Sequence, residues 1–212
     1  MKDTAILIAA HGTVCVDADA GCRTFAEAIA REYPGVHLAF AATSGKVRER
    51  LADLGRGANS PIEALARLRK SGARRVVVQS LHVIAGQEYG SLLSACRAFQ
   101  DGPTPFASLA VGGPLLVSPE DAATAARALP GYIPADRAPD EAVVLVGHGS
   151  VSGGTEGYAL FLDQARACDP LLRLGLLNGP PGAEEIATGL LAAGVRSACL
   201  LPFLCAPGYH VR

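Results

Sequence analysis

Two stretches decide the fold: ILIAAHGT, Ile6–Thr13, and VVLVGHGS, Val143–Ser150. Each is an apolar run without polar alternation that closes on His-Gly-Thr or His-Gly-Ser. Unbroken Val/Ile/Leu runs mark strands buried on both faces of a parallel sheet. In such sheets ligands meet the carboxyl ends of the strands. His11 and His148 therefore stand where ligands bind, and the pattern occurs twice in one chain.

The repeat extends further. VVVQSLHVIAGQEY (76–89) and ACLLPFLCAPGYH (198–210) both read as a strand followed by a glycine loop, with Gly86 matching Gly208 and Glu88 falling opposite His210. From histidine to glycine the first half spans 75 residues and the second 60, so the first carries an insertion, placed within Ser44–Ser60. An internal duplication of this kind implies two similar α/β domains with their histidine-bearing strand ends turned toward a shared cleft. The halves are read as 1–118 and 119–212, and the Pro/Gly/Asp-rich stretch 130–140 marks the natural boundary before the second set of strands.

Working outward, apolar and helical patterns alternate. Strands are expected at 4–10, 36–42, 74–84, 106–116, 142–147, 171–177 and 196–205. Helices are expected at about 18–33, 44–55, 61–71, 88–99, from Ser118 onward, 154–167 and 182–193. Ser60-Pro61-x-Glu63 is close to a capping box with proline in the first turn, and Ser118-Pro119-Glu120-Asp121 opens a helix the same way. Strands alternating with helices predict right-handed parallel βαβ winding, a flavodoxin-like α/β fold.

The 212 residues are 50% hydrophobic and 18% charged, enough to bury one or two cores. A formal net charge of −1 leaves no electrostatic footprint for nucleic acid. The six cysteines form no CxxC pair, which fits a reducing cytoplasm. The amino-terminal MKDTAILIAAHGT reads as a first core strand and not as a signal peptide. No stretch reaches the roughly 20 apolar residues that span a bilayer.

Several chemistries lack their motif. GxGxxG, GxxxxGK[ST], HExxH and GxSxG are all absent, which argues against dinucleotide, nucleotide, zincin and α/β-hydrolase readings. Ala10 and Gly147 precede the two histidines where a phosphohistidine phosphatase would carry arginine. A nucleophile from Cys205, Ser150 or Ser152 beside His148 would have no orienting third group. A single strand-end histidine is more often a hydrogen-bonded structural residue, but repetition and placement favour a ligand role for His148 and His210. Their flanking glycines let a ligand approach the backbone closely, and imidazoles suit Co, Ni, Fe and Zn.

Taken together, ILIAAHGT, AFAATS (39–44), SPIEALARLRKSGARRVVVQSLHVIAGQEY (60–89), VVLVGHGS and the Pro-Gly-Tyr-His end resemble the class II chelatases, in particular the anaerobic cobalt chelatases of cobalamin biosynthesis. QSLHVIAGQEY is the most specific part, and the likeness covers nearly the whole chain. It implies nucleotide-independent insertion of Co²⁺, or of Fe²⁺ or Ni²⁺, into sirohydrochlorin or precorrin-2 held in the interdomain cleft. The chain would act without nucleic acid or membrane, in the cytoplasm, with a homo-oligomer left open.

The resemblance places a metal site of His, Glu and His in the second half. Its histidines fall on His148 and His210, but its glutamate falls on Asn178 in LGLLNG. An amide oxygen can coordinate a metal, yet it brings no charge and takes no pyrrole proton. A non-catalytic tetrapyrrole or metal carrier is the rival this substitution raises. Glu184 and Glu185 read as helix amino-terminal charges, which leaves Glu88 as the carboxylate facing the cleft.

Metal insertion expels two pyrrole protons, so a base is needed near the nitrogens. His148 and His210 are expected to deliver the metal, with one of them or Glu88 as proton acceptor. His11, His82 and Asn178 are expected to line the pigment site, His82 being equally readable as a satisfied core histidine. His11 with Glu88 would make a pseudo-symmetric second site. The same family is expected to continue beyond the second His motif, whereas this chain stops two residues after His210.

Overall fold

A computed structural model describes residues 3–15, 20–150 and 153–205. The chain falls into two compact units. The first takes residues up to His82, then Glu88–Pro114 and Cys205. The second takes Val83–Gln87 and Leu115–Leu204.

The first unit is a parallel sheet of four strands in the order β2-β1-β3-β4, with β1 Thr4–Ala10, β2 His37–Ala42, β3 Arg75–Ser80 and β4 Ser108–Val111. Its helices are α1 Ala20–Glu32, α2 Gly45–Asp53, α3 Pro61–Lys70 and α4 Gln87–Gln100. β1 lies inside the sheet and needs apolar residues on both faces. Ala5, Leu7, Ile8 and Ala9 are accordingly all but inaccessible. The expected capping box at α3 is present: Ser60 Oγ accepts from Glu63 N, and Glu63 Oε2 accepts from Ser60 N. That start sets Ala64, Leu65 and Leu68 against Val76 and Val78 of β3 in one core.

The second unit repeats the pattern with three strands in the order β6-β5-β7, namely β5 Ala142–Gly149, β6 Leu172–Asn178 and β7 Ala198–Phe203. Its helices are α5 Pro119–Ala128, α6 Glu156–Cys168 and α7 Ala183–Ala192. Phe161, Leu145 and Leu172 centre its core, with Phe203 stacked on Phe161 at 4.7 Å. Val144 and Leu190 pack on the other face. The match β1/β5, β2/β6, β3/β7 bears out the repeat. The extra residues of the first half also lie where expected: 18 residues, including α2, join β2 to α3, whereas four join β6 to α7.

Two strands are shorter than their apolar runs. β3 ends at Ser80, not 84, because the Ser80 hydroxyl takes up the His82 N–H at 3.2 Å and turns the chain. His82 thus follows the strand rather than lying within it. β4 covers Ser108–Val111 rather than 106–116. Among the described residues no helix is long and apolar enough to cross a membrane.

Candidate functional site

In the first unit the carboxyl ends of β1, β2 and β3 gather His11, Thr43, His82 and Glu88. His11 follows β1 and accepts the Ser44 N–H at its carbonyl, 3.2 Å away. The turn is possible because Gly12 has φ 91°, and a Cβ there would stand 2.8 Å from the Ala42 Cβ. Glu88 lies in the first turn of α4, and its Oε1 is 3.8 Å from His11 Nδ1. Both side chains reach solvent, at 50% and 37% exposure, so this is a screened pair open to exchange.

His82 is the opposite case. Its Nδ1 meets Ser80 Oγ at 2.9 Å and its Nε2 meets Thr43 Oγ1 at 3.1 Å. Burial pushes its pKa down to about 4; the Glu88 carboxylate opposes that shift and His11 adds to it. The ring also meets Tyr89 edge-on at 6.3 Å. A neutral imidazole with both nitrogens engaged positions its neighbours and does not titrate near pH 7.

In the second unit His148 is exposed at the end of β5. Its Nδ1 lies 3.3 Å from the Gly149 carbonyl. A proton on Nδ1 donating there leaves the lone pair on Nε2, the tautomer that suits a metal ligand. Asn178, ending β6, donates through Nδ2 to the His148 carbonyl at 3.1 Å. The strands close tightly here: Gly149 has φ 72°, and a Cβ would fall 1.9 Å from the Asn178 carbonyl oxygen. Gly147 makes room for Tyr158, whose ring would touch an added Cβ at 3.0 Å. Burial raises the Tyr158 phenol pKa, while hydrogen bonds from the main chain of Gly149 and His148 lower it.

The structure therefore brings together His11, His82 and Glu88 in one unit and His148 with Asn178 in the other. His210, Ser152 and the Gly208 loop lie outside the described residues. Among the described residues no group of three or more His, Cys, Asp or Glu side chains could hold a metal ion. Thr43, Ser80 and Tyr158 were not singled out by sequence reasoning. Thr43 carries a weak signal, since Thr43-Ser44 follows β2 as His11-Gly12-Thr13 follows β1. Nothing local marks Tyr158, whose role depends on the size of residue 147.

Comparison with known proteins adds independent findings. The family described as "Cobalt chelatase (CbiK)" matches residues 4–212. The "Sirohydrochlorin cobaltochelatase CbiKC" of Nitratidesulfovibrio vulgaris is 35% identical over 99% of this chain and 74% of its own length. The "Sirohydrochlorin cobaltochelatase" of Salmonella typhimurium is 30% identical over 86% of this chain and 68% of its own. Among solved structures, "SirB from Bacillus subtilis with Fe3+" shares the fold at TM-score 0.64 and 18% identity, covering all of this chain and 80% of that one.

Proposed function

Since the chain belongs to the cobalt chelatase family, we propose that it inserts Co²⁺ into sirohydrochlorin, with the strand-end histidines of its second half handling the metal. The observation that carries this reading is the family match over residues 4–212, a span that includes the QSLHVIAGQEY block and its Glu88. In the reaction the metal-free macrocycle and Co²⁺ become the cobalt macrocycle and two protons, so the protein must present metal and accept protons.

His148 holds the ion through Nε2, oriented by the Gly149 carbonyl behind it and steadied by the Asn178 amide on its own carbonyl. His210 is the second ligand. Few, neutral ligands favour release of the ion to four ring nitrogens. Glu88, exposed to solvent with His11 Nδ1 3.8 Å from its Oε1, accepts one pyrrole proton, and the other leaves to solvent. His82 stays uncharged beside them, so it does not compete for that proton.

The test is anaerobic, spectroscopic Co²⁺ insertion into sirohydrochlorin by the wild type, His148→Ala and His210→Ala. A wild type well above the spontaneous rate, with both variants near it, is the expected outcome. A wild type that binds pigment but inserts no faster than buffer would replace the enzyme with a carrier, the reading favoured by Asn178 standing where a carboxylate is expected. Competition with Fe²⁺ and Ni²⁺ in the same assay fixes the metal.

A further inference from the structure

The inserted segment between β2 and α3 has no counterpart in the second half, and it carries two arginines that reach back to the strand ends. Arg48 NH1 donates to the carbonyls of Ala42 at 2.6 Å and Thr43 at 2.8 Å. Arg56 NH1 donates to the Val14 carbonyl at 2.9 Å, in the loop that leaves His11. Among the described residues the salt bridges are His11–Glu88, Arg75–Asp3 and Arg137–Asp169, and neither arginine takes part in one. A guanidinium has five N–H donors in a rigid fork, so anchoring through NH1 leaves the rest of the fork oriented.

Beside Arg48 lies a cavity of about 190 Å³, lined by Thr43, Ser60, Ser91 and the apolar Pro61, Leu92 and Ala95, with Ile62 also on its wall. Glu63, which feels the Arg48 charge, is committed through Oε2 to Ser60 in the capping box. Thr43 Oγ1 donates to the Ala10 carbonyl and meets His82, and Ser60 Oγ donates to Glu63, so it is the Ser91 hydroxyl with one fixed cation above an apolar floor that suits a carboxylate at the end of a short aliphatic arm. The other wall of Thr43 is the His82 contact, so the cavity adjoins the His11, His82 and Glu88 group.

Resting on the proposed reaction, we infer that Arg48 and this cavity bind one acetate or propionate arm of the tetrapyrrole and so set its orientation over the strand ends. Sirohydrochlorin is ringed by such arms, whereas the chain as a whole carries a formal charge of −1. Local cations must therefore supply the attraction. Bidentate recognition would make lysine a poor substitute.

The experiment measures equilibrium binding of metal-free sirohydrochlorin and of its methyl ester by fluorescence, then KM and kcat for Co²⁺ insertion. Wild type, Arg48→Ala, Arg48→Lys and Ser91→Leu are compared. Ser91→Leu fills the cavity without touching the Arg48 main-chain bonds, so it keeps the test decisive where Arg48→Ala fails to fold. The wild type is expected to prefer the acid to the ester at least about tenfold, and the Arg48→Ala and Ser91→Leu proteins to lose most of that preference, with the loss appearing in KM more than in kcat. Variants that keep the wild-type acid-to-ester ratio overturn the inference. The binding arm needs no metal, so a wild type that discriminates acid from ester but inserts no Co²⁺ sinks the proposed reaction and spares the carboxylate site.

Discussion

At the scale of single residues, His82 ties the site to stability. Its pKa of about 4 in the folded protein lies below the ordinary 6.5, so the unfolded chain binds the proton more readily. Stability from this group is fully present above pH 6.5 and is lost as pH falls toward 4. Between pH 7 and 4.5 the wild type should lose about 2 to 3 kcal/mol through it. His82→Gln keeps hydrogen-bonding groups for Ser80 and Thr43 but cannot be protonated, and urea titrations at the two pH values should show a correspondingly smaller drop. Gly149 supplies a second prediction. Its positive φ, and an Asn178 carbonyl oxygen that an added Cβ would overlap, leave no space for a methyl group. Gly149→Ala should cost about 3 kcal/mol or more, seen as a lowered thermal midpoint, and should disturb His148 without replacing it. Glycine after the strand-end histidine was visible in the sequence; the carbonyl it makes room for belongs to β6, 29 residues on, and was not.

At the scale of elements, helix starts were the most legible feature. Ser-Pro-x-Glu is a local device whose partners lie within four residues, so its geometry follows from the sequence alone. Ser60→Ala removes the acceptor for Glu63 N and should cost about 1 kcal/mol in chemical denaturation. Strand ends were less legible, for a reason that β3 shows. Its apolar run continues through Val83 and Ile84, which pack in the core of the second unit and not in the β3 sheet. The run past β4 behaves alike: Leu116 is 3% exposed and belongs to that same second core. A hydrophobic run reports burial, and here one run serves two cores in succession.

At the scale of the whole molecule, the division follows contacts between segments distant in sequence. Val83–Gln87 is part of the second unit although it is flanked by segments of the first. Leu116 N donates to the Val83 carbonyl at 2.9 Å, and Ile84 is 8% exposed. Ile84→Ala should therefore destabilise the unit that lies mainly after it in sequence, by about 2 to 4 kcal/mol. Hydrogen exchange should speed up at β5 and β6 amides and leave those of β1 and β3 near their wild-type rates. Equal acceleration in both sheets would contradict separate cores. The duplication was readable because each half repeats its strand-end motif. The interleaving was not, since it depends on which core each short apolar segment enters.

That interleaving has a consequence during synthesis. The four strands of the first sheet have all emerged once Pro114 leaves the ribosome, while the second core still lacks every residue up to Leu204. At about 5–20 residues per second, those 90 residues take on the order of 5–20 s. Through that interval Val83 and Ile84 hang from a sheet already able to close, with no core of their own to enter. Until the second half arrives, the newborn chain keeps these two apolar side chains outside the core that will bury them.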